Sequence, residues 1–454
     1  MSHAPIGQPS DAVSWSERLR ADPYRAYLYA YPHKTAYRRF AAPMTLEELW
    51  KDEPAETLFL YMHIPFCGAR CGFCNLFTLP DKRSDVHLEY VDALDRQARQ
   101  WAPHVGRKPF ARFAIGGGTP TLLEPALLDR LFVIAERTMG LDPTRASISV
   151  ETSPETVTPE RLGILRERQV DRVSMGIQSF IEAEAAAIYR PQKPHEAERA
   201  LELLKRDPFS ILNLDLIYGL PGQTVQSWLY SVERTLAYEP EEIFLYPLYT
   251  REQTILKPER VRAGGTDIRM DCYIAARDRL LAAGYEQHSM RRFSKPSAAS
   301  DDAKRILPYG CQEEGMVGLG CGARSYTRGV HYASRYAVSR SATAGIIADF
   351  VAAERHDLAD YGYVLNEEEQ RRRFVIKAIL HSEGLTLSDY AERFPSSAAL
   401  DDVPELRWLL DGGLAVLEQG VVKLTAEGLA YSDAIGDELI SPGVRELMEG
   451  YDFA

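Results

Sequence analysis

The stretch that decides the fold is residues 58–74, LFLYMHIPFCGARCGFC. It begins with a short, mainly apolar run that ends before Pro65, and three cysteines follow at Cys67, Cys71 and Cys74. A run of this length that is bounded by a turn is typical of a buried β-strand. The sequence therefore predicts a buried strand with a cysteine loop at its carboxyl end.

Five further short apolar runs follow, and longer segments of helical character separate them. The runs cover residues 110–118, 146–152, 171–179, 211–219 and 242–249. Strands that alternate with helices form βαβ units around a parallel sheet. We therefore predict an α/β fold class in which these units build a partial, TIM-like (β/α)6 barrel.

Residues with distinctive chemistry lie where these runs end. They are the three cysteines after the first run, Gly116, Gly117 and Gly118 after the second, Glu151 after the third, Gln178 after the fourth, and Asp215 late in the fifth. Barrels and open α/β sheets build their sites at the carboxyl ends of parallel strands. We expect these residues to converge on one mouth.

Composition and charge narrow the class of protein. The chain has 454 residues, 45% of them hydrophobic, and a formal net charge of −12, which argues against a nucleic-acid partner. Its apolar runs are shorter than the roughly 18 residues of a membrane span, and its first residues lack the pattern of a secretory signal. We predict a cytoplasmic protein without a membrane partner, in which clustered cysteines serve metal binding or catalysis.

The pattern along the chain predicts four regions. They are an N-terminal cap segment (1–54), the barrel (55–300), a connecting region that completes the side of the barrel (301–365) and an α+β C-terminal domain (366–454) that resembles a winged helix. The acidic composition of the last region favours a packing or partner role over DNA binding. The cap segment contains YRAYLYAYPHKTAYRRF, which either packs on the barrel or brings its cations to an anionic substrate at the mouth.

Three cysteines within eight residues limit the choice of metal group. A structural zinc site needs four ligands, and Pro65 separates His63 from the cysteines, so His63 is a poor fourth ligand. An iron-sulfur cube takes one thiolate for each of its four irons. Three thiolates leave one iron with an open position, where chemistry can take place.

The C-x3-C-x2-C spacing at the end of a first barrel strand resembles the radical S-adenosylmethionine (SAM) superfamily. The resemblance implies a [4Fe–4S] cluster held by Cys67, Cys71 and Cys74, with the amino and carboxylate groups of SAM on the open iron. An electron delivered through the cluster then cleaves SAM to methionine and a 5'-deoxyadenosyl radical. The segment GGGTPT (116–121) would expose backbone amides to the amino-acid end of SAM.

Further motifs resemble one branch, the oxygen-independent coproporphyrinogen III oxidase-like (HemN/HemW-like) family. They are LYMHIPFC, GGGTPT, VETSPE, RVSMGIQSF, IYRPQ and NLDLIYGLPGQT. The resemblance implies SAM-contacting residues at Tyr61, Gly117, Gly118, Thr119, Glu151, Gln178, Arg190 and Asp215. It also implies that a second SAM lies beside the one on the cluster.

Two departures from the branch keep its function open. The oxidase has a further cysteine where this chain has Leu76, and the HNxxYW signature of the HemW-type chaperone is replaced by YGCQEEGMVGLGCGARSYT. The leading prediction is therefore radical modification of a small organic substrate, with the second SAM as a methyl or methylene donor. The alternatives are porphyrinogen decarboxylation and a haem chaperone.

The end of the barrel region offers residues that can exchange a proton with a substrate. These candidates are His288, Tyr309 and Cys311, although packing or surface roles fit each of them as well. Cys321 is expected to be a small buried residue. The expected partners are a small-molecule substrate and an electron donor such as flavodoxin or ferredoxin.

Overall fold

The computed structural model of the protein describes residues 15–25, 27–28, 30–105, 108–251, 254–257, 267–296 and 313–451. Contacts within the chain separate two units. The barrel unit comprises the described residues of Pro32–Gln370 and Ser441–Ala454, and the smaller unit comprises those of Met1–Tyr31 and Arg371–Ile440. The Tyr- and Arg-rich segment is thus divided between the two units after Tyr31.

One sheet organises the barrel unit. The strands of this unit are β1 (Arg38–Thr45), β2 (Leu58–Ile64), β3 (Phe66–Cys67), β4 (Leu79–Pro80), β5 (Phe110–Gly117), β6 (Ser147–Thr152), β7 (Arg172–Gln178), β8 (Ile211–Tyr218), β9 (Glu242–Pro247), β10 (Glu286–Gln287), β11 (Arg292–Ser294), β12 (Met316–Leu319), β13 (Arg324–Tyr326), β14 (Val330–Ala333) and β15 (Leu358–Val364). Strands β2, β5, β6, β7, β8 and β9 are neighbours in this order, and every pair is parallel. The six apolar runs are therefore the six parallel strands, as predicted.

Helices separate the parallel strands of the barrel unit along the chain, and further helices precede and follow this set. They are Leu46–Trp50, Ser84–Val105, Pro125–Val133, Pro159–Glu167, Glu182–Ala187, Pro194–Arg206, Val225–Leu236, Arg269–Ala282, Arg340–Ala352 and Pro442–Glu449. The helix Pro194–Arg206 shows why such segments form helices. Its proline occupies the first helical position, and its buried residues recur at helical spacing: Ala197, Ala200, Leu201 and Leu204. This apolar stripe faces the interior of the barrel unit, while Arg199, Glu202 and Lys205 are exposed.

Antiparallel strands extend both ends of the parallel set. At one end β12 pairs with β2 in parallel, and β13, β14, β15 and β1 follow in antiparallel order. At the other end β11 pairs with β9 and with β10. The strands β12–β15 thus lie on the β2 side of the sheet, next to the strand that carries the cysteine loop.

The smaller unit combines short helices with a three-stranded sheet. Its helices are Trp15–Ala21, Leu387–Arg393, Ala399–Asp402, Glu405–Asp411, Ala426–Ala430 and Ser432–Glu438, while Glu367–Ile379 crosses the boundary between the units. The strands β16 (Leu385–Thr386), β17 (Ala415–Glu418) and β18 (Val421–Leu424) are antiparallel, with β18 in the middle. This is the expected winged-helix-like arrangement. In the part of the chain that the structure describes, no helix has the length and apolar character of a membrane span.

Candidate active site

The cysteine loop begins directly after β2 and is fixed at three places. Its two ends meet where β3 and β4 pair, so that Phe66 faces Leu79. In the middle of the loop, the Gly72 amide donates to the Ile188 carbonyl at 2.8 Å, and the Gly72 carbonyl accepts from the Leu256 amide at 2.8 Å. The backbone thus holds the loop in shape independently of any bound group.

Each cysteine sulfur lies near one donor side chain. The pairs are Cys67 with Thr119 (3.9 Å), Cys71 with the Arg190 guanidinium (3.6 Å) and Cys74 with Thr78 (3.8 Å). Burial, together with the neighbouring sulfurs, raises the pKa of the Cys67 thiol to about 12. Burial also raises the pKa of Cys71, against the opposing charge of Arg190. A metal group must therefore displace protons from these thiols when it binds.

Two glycines allow close backbone contacts around the loop. A Cβ atom at Gly118 would lie 2.4 Å from the Phe66 carbonyl oxygen and 3.0 Å from the Cys67 sulfur. A Cβ atom at Gly72 would lie 2.5 Å from the Tyr189 ring. At Gly68 the nearest atom would be 3.5 Å away, which is an ordinary contact. Tight packing thus requires glycine at Gly72 and Gly118, and leaves room at Gly68.

A buried histidine links β2 to the loop. His63 Nε2 lies 2.8 Å from the Phe77 carbonyl oxygen, so this nitrogen donates its proton. Its Nδ1 atom then accepts from the Tyr61 hydroxyl at 3.3 Å. Burial lowers the pKa of His63 to about 4, which keeps the ring neutral. Sequence reasoning considered His63 only as a metal ligand and missed this positioning role.

Glu151 lies at the end of β6 and contacts the glycine-rich turn. Its Oε2 atom accepts from the Gly117 amide at 3.0 Å, and Gly117 itself has a φ of +113°. Burial and the Asp215 carboxyl group raise the pKa of Glu151 to about 7, while the Gly117 hydrogen bond opposes this shift. Glu151 can therefore exchange a proton near neutral pH, and a bound cation would favour its charged form.

Gln178 and Arg190 both lie beside Gly176, near the end of β7. A Cβ atom at Gly176 would lie 2.5 Å from the Gln178 amide nitrogen, so the Gln178 side chain covers this glycine. The Arg190 guanidinium donates to the Gly176 carbonyl at 2.6 Å and to Gln192 at 2.8 Å. With Cys71 as its third contact, Arg190 connects the end of β7 to the cysteine loop.

Asp215 faces this group from β8, where it is paired with Gly176 in the register. Its carboxylate accepts from the Asn213 amide at 2.8 Å, and the same amide donates to Ser174 at 2.8 Å. Burial raises the pKa of Asp215 to about 6, although the Asn213 hydrogen bond opposes the shift. Asn213 is fully buried and was missed by sequence reasoning, although its place in NLDLIYGLPGQT was a usable signal.

A buried ion network lies at the opposite, amino ends of the strands. Arg172 at the start of β7 and Arg292 at the start of β11 both contact Glu242 at the start of β9, each at 2.7 Å. Arg172 also donates to the Ser149 hydroxyl at 3.2 Å. Sequence reasoning did not find this network, which lies below the residues at the mouth.

Of the proposed acid or base residues, His288 lies in the turn between β10 and β11. Its Nε2 atom is 2.8 Å from the Ser294 hydroxyl, so it links the two strands of this hairpin. Tyr309 and Cys311 lie outside the described residues. Cys321 is buried, with its sulfur 3.8 Å from the Tyr90 hydroxyl, as expected for a small packed residue.

Comparisons with known proteins agree with this geometry. The model of the radical SAM superfamily matches residues 61–234, and that of the HemN C-terminal domain matches residues 365–431. An oxygen-independent coproporphyrinogen III oxidase from Bradyrhizobium diazoefficiens is 29% identical, over 82% of this chain and 83% of its own. The heme chaperone HemW of Bacillus subtilis is 26% identical, over 85% of this chain and 99% of its own.

A solved structure shares the fold. Coproporphyrinogen III oxidase (HemN) from Escherichia coli has a TM-score of 0.80 and 22% identity, and the match covers 94% of this chain and 99% of that one. The fold is therefore that of the HemN radical SAM protein. The radical SAM family implies a [4Fe–4S] cluster and SAM.

The residues of the loop fit such a cluster. Cys67, Cys71 and Cys74 are free and partly exposed, and each has a donor that can stabilise a thiolate. Within the described ranges, no group of three or more His, Cys, Asp or Glu side chains is placed to hold a single metal ion. The thiolates of a cube bind different irons, so they need not meet at one point.

Proposed function

Because the chain joins a radical SAM domain to a HemN C-terminal domain, we propose that it cleaves SAM reductively and modifies a small organic substrate with the radical produced. The observation that carries this proposal is the cysteine loop with its three donor side chains. When bound, the cluster and SAM supply a 5'-deoxyadenosyl radical, which abstracts hydrogen. The residues of this chain bind, orient and shield these groups.

The loop and the glycine-rich turn have separate tasks in this proposal. Cys67, Cys71 and Cys74 hold the cluster, and their donors stabilise the negative charge on sulfur. The Thr119 hydroxyl, Tyr61 and Glu151 line the amino-acid end of SAM. The backbone amides expected there are already used within the protein, because those of Gly117, Gly118 and Thr119 donate to Glu151, Ile64 and Phe66. In its charged form Glu151 attracts the positively charged ligand, and its hydrogen bond to Gly117 sets its orientation.

A second SAM is the finer part of the proposal, and Gln178, Arg190 and Asp215 are its proposed contacts. Their proximity at the ends of β7 and β8 supports it. Burying a carboxylate such as Asp215 is costly unless a partner compensates its charge, and the sulfonium of SAM is a suitable partner. We propose that this second molecule donates a methyl or methylene group.

Two other functions follow from the named relatives. Oxygen-independent coproporphyrinogen III oxidase is the alternative enzyme, and a 29% identical relative carries that name. Leu76, 43% exposed on the cysteine loop, replaces the cysteine expected of that enzyme. The haem chaperone is the alternative from another class, because HemW of Bacillus subtilis is similar over most of both chains. A stoichiometric Soret shift with haem, without deoxyadenosine formation, would favour the chaperone.

The cytoplasmic location and the electron donor stay predictions.

The test uses anaerobically reconstituted protein with dithionite as the reductant. Cys71→Ala should abolish 5'-deoxyadenosine formation, because two thiolates hold a cube poorly. Cys321→Ala is the matched control, since Cys321 is buried elsewhere, and it should retain cleavage. Full cleavage by the Cys71→Ala protein would contradict the assignment of the loop.

The same preparation tests the second SAM. Equilibrium dialysis should find about two SAM per cluster, and Asp215→Ala should weaken the second more than the first. Methyl-labelled SAM then identifies the reaction: label in the product with S-adenosylhomocysteine indicates carbon transfer, and carbon dioxide release indicates decarboxylation. One SAM per cluster in the presence of substrate would exclude the second SAM and leave reductive cleavage standing.

A further inference from the structure

Three consecutive residues, Ile188, Tyr189 and Arg190, contact the middle of the cysteine loop. The Ile188 carbonyl accepts from the Gly72 amide at 2.8 Å, and the Arg190 guanidinium lies 3.6 Å from the Cys71 sulfur. Tyr189 stands between them in the chain and packs its ring against Gly72. The segment thus contacts two adjacent residues of the loop through a carbonyl, a ring and a guanidinium group.

The backbone of Tyr189 adopts the left-handed conformation. Its φ is +53°, a region that residues with a Cβ atom enter only at a cost in free energy. The helix Glu182–Ala187 ends there in a Schellman motif: the Tyr189 amide donates to the Ala186 carbonyl and the Arg190 amide to the Ala185 carbonyl, both at 3.0 Å. Glycine is the residue that this position favours. We therefore expect the tyrosine side chain to make a contact that offsets the cost.

That contact is with Gly72. A Cβ atom at Gly72 would lie 2.5 Å and 3.3 Å from two atoms of the Tyr189 ring, and 3.2 Å from the Ile188 carbonyl oxygen. Gly72 is buried, whereas Cys71 and Phe73 on either side of it are partly exposed. Tyr189 itself is 44% exposed. The tyrosine thus covers the glycine of the loop with one part of its side chain and faces solvent with the rest.

A second helix of the barrel unit ends in the same motif at a different place. The helix Pro159–Glu167 is followed by Gln169 with a φ of +54°, and both hydrogen bonds of its Schellman motif measure 2.9 Å. Gln169 is exposed and lies just before β7, at the amino ends of the parallel strands. It shares the backbone conformation of Tyr189 and therefore serves as a matched control.

We propose that Tyr189 is a positioning residue for the radical reaction: its ring holds Gly72 in place and thereby keeps Cys71 within reach of Arg190. The inference rests on the proposed function, in which Cys71 binds the cluster and Arg190 contacts SAM. A thiolate that is held in one position loses its iron less readily, because a broken iron–sulfur bond can form again before the loop opens. Tyr189 acts through the loop rather than on the reacting atoms.

Release of iron from the reconstituted full-length protein tests this role. The protein is mixed anaerobically with excess EDTA, and the loss of cluster absorbance is followed. Tyr189→Gly removes the ring and introduces the residue that the position favours, so it leaves the backbone conformation intact. It should release iron about tenfold faster than the wild type, since a partly buried aromatic contact no longer holds the loop. Tyr189→Phe keeps the ring, and Gln169→Gly makes the same backbone change elsewhere, so both should release iron like the wild type.

Alkylation of the full chain before reconstitution gives a readout that does not depend on the cluster. Iodoacetamide labelling, resolved by mass spectrometry, reports the rate at each thiol separately. Cys71 in Tyr189→Gly should react about tenfold faster than in the wild type, because the loop opens more often. The buried Cys321 should react at the same rate in both proteins. General loss of structure would instead accelerate both thiols, so this comparison separates positioning from unfolding.

The inference is overturned if Tyr189→Gly releases iron and alkylates Cys71 at wild-type rates, if Gln169→Gly or Tyr189→Phe accelerates them as much, or if Cys71 and Cys321 accelerate equally. Formation of 5'-deoxyadenosine in the same preparations tells this failure from that of the proposed function. SAM cleavage by the wild type, with alkylation that does not depend on Tyr189, removes the positioning role and leaves the proposed function. Alkylation that depends on Tyr189, in a wild-type protein that does not cleave SAM, removes the proposed function and leaves the hold on the loop.

Discussion

The carboxylates at the two ends of the barrel strands differ in what faces them. At the amino ends, burial acts to raise the pKa of Glu242, but the guanidinium groups of Arg172 and Arg292 outweigh it and lower that pKa. At the carboxyl ends, Glu151 accepts from a backbone amide and Asp215 from Asn213. There burial prevails, and it raises the pKa of Glu151 to about 7 and that of Asp215 to about 6.

This difference indicates that the amino ends of the strands serve stability and that the carboxyl ends serve ligand binding. The network at the amino ends contains its own counter-charges, so it needs no ligand and ties β7, β9 and β11 together. The carboxylates of Glu151 and Asp215 at the mouth can still pair with an opposite charge, which a positively charged ligand can supply. The two ends should therefore respond differently to substitution.

The largest effect is expected at the amino ends. Arg172→Met leaves Glu242 with a single guanidinium in a buried position and should lower the free energy of unfolding by about 3–5 kcal/mol. Arg168→Met is the matched control, because Arg168 forms partly exposed pairs with Asp129 and Glu136 and should cost about 1 kcal/mol or less. Urea denaturation measures both.

Similar losses of stability in Arg172→Met and Arg168→Met would contradict this difference between the two ends of the strands. The buried network would then contribute no more to stability than a surface ion pair. If Arg172→Met loses much stability but binds SAM like the wild type per folded molecule, the difference between the two ends of the strands is supported. In that case the amino ends carry stability, and the mouth carries ligand binding.

A smaller effect is expected at the mouth, where close backbone contact takes the place of ion pairs. Gly118→Ala should cost about 1–3 kcal/mol and reduce iron content, because its Cβ atom would meet the Phe66 carbonyl and the Cys67 sulfur. Gly68→Ala should keep normal iron content, since its Cβ atom would have only ordinary contacts. Equal iron in both variants would show that the loop adapts to the added methyl group.

The sequence predicted the parts that depend on local patterns. Six apolar runs became six adjacent parallel strands, because buried central strands have no polar face to interrupt the run. The rule that side chains meet at the carboxyl ends of parallel strands then brought Glu151, Gln178 and Asp215 together.

The parts that were missed depend on contacts between distant residues. Arg172 and Glu242 are 70 positions apart, and each stands at the start of a strand, where a charged residue usually faces solvent. In the described part of YRAYLYAYPHKTAYRRF, the basic side chain that is buried beside the cysteine loop is Lys34.

The smallest expected effect is on the pH dependence of stability, which tests the charge states of Glu151 and Glu242. Burial favours the neutral form of Glu151 in the folded protein, so its contribution to stability is complete below about pH 4.5 and is lost as pH rises toward about 7. Glu242 has a lowered pKa, so its contribution is present above about pH 4.5 and is lost only in more acidic solution. Between about pH 5 and 7 the two carboxylates should therefore behave differently.

Urea denaturation of protein without SAM, at about pH 5.5 and 7.5, distinguishes them. The stability difference between the wild type and Glu151→Gln should change by about 1 kcal/mol between the two pH values, because only the wild type loses the Glu151 proton there. The difference between the wild type and Glu242→Gln should be large at both pH values, since Glu242 is charged at both, and it should change with pH only through Asp215, whose pKa the Glu242 charge helps to raise. If the Glu151→Gln difference does not change with pH, Glu151 is already ionised at pH 5.5. The carboxylates at the mouth would then attract a cation no more strongly than Glu242 does at the amino ends.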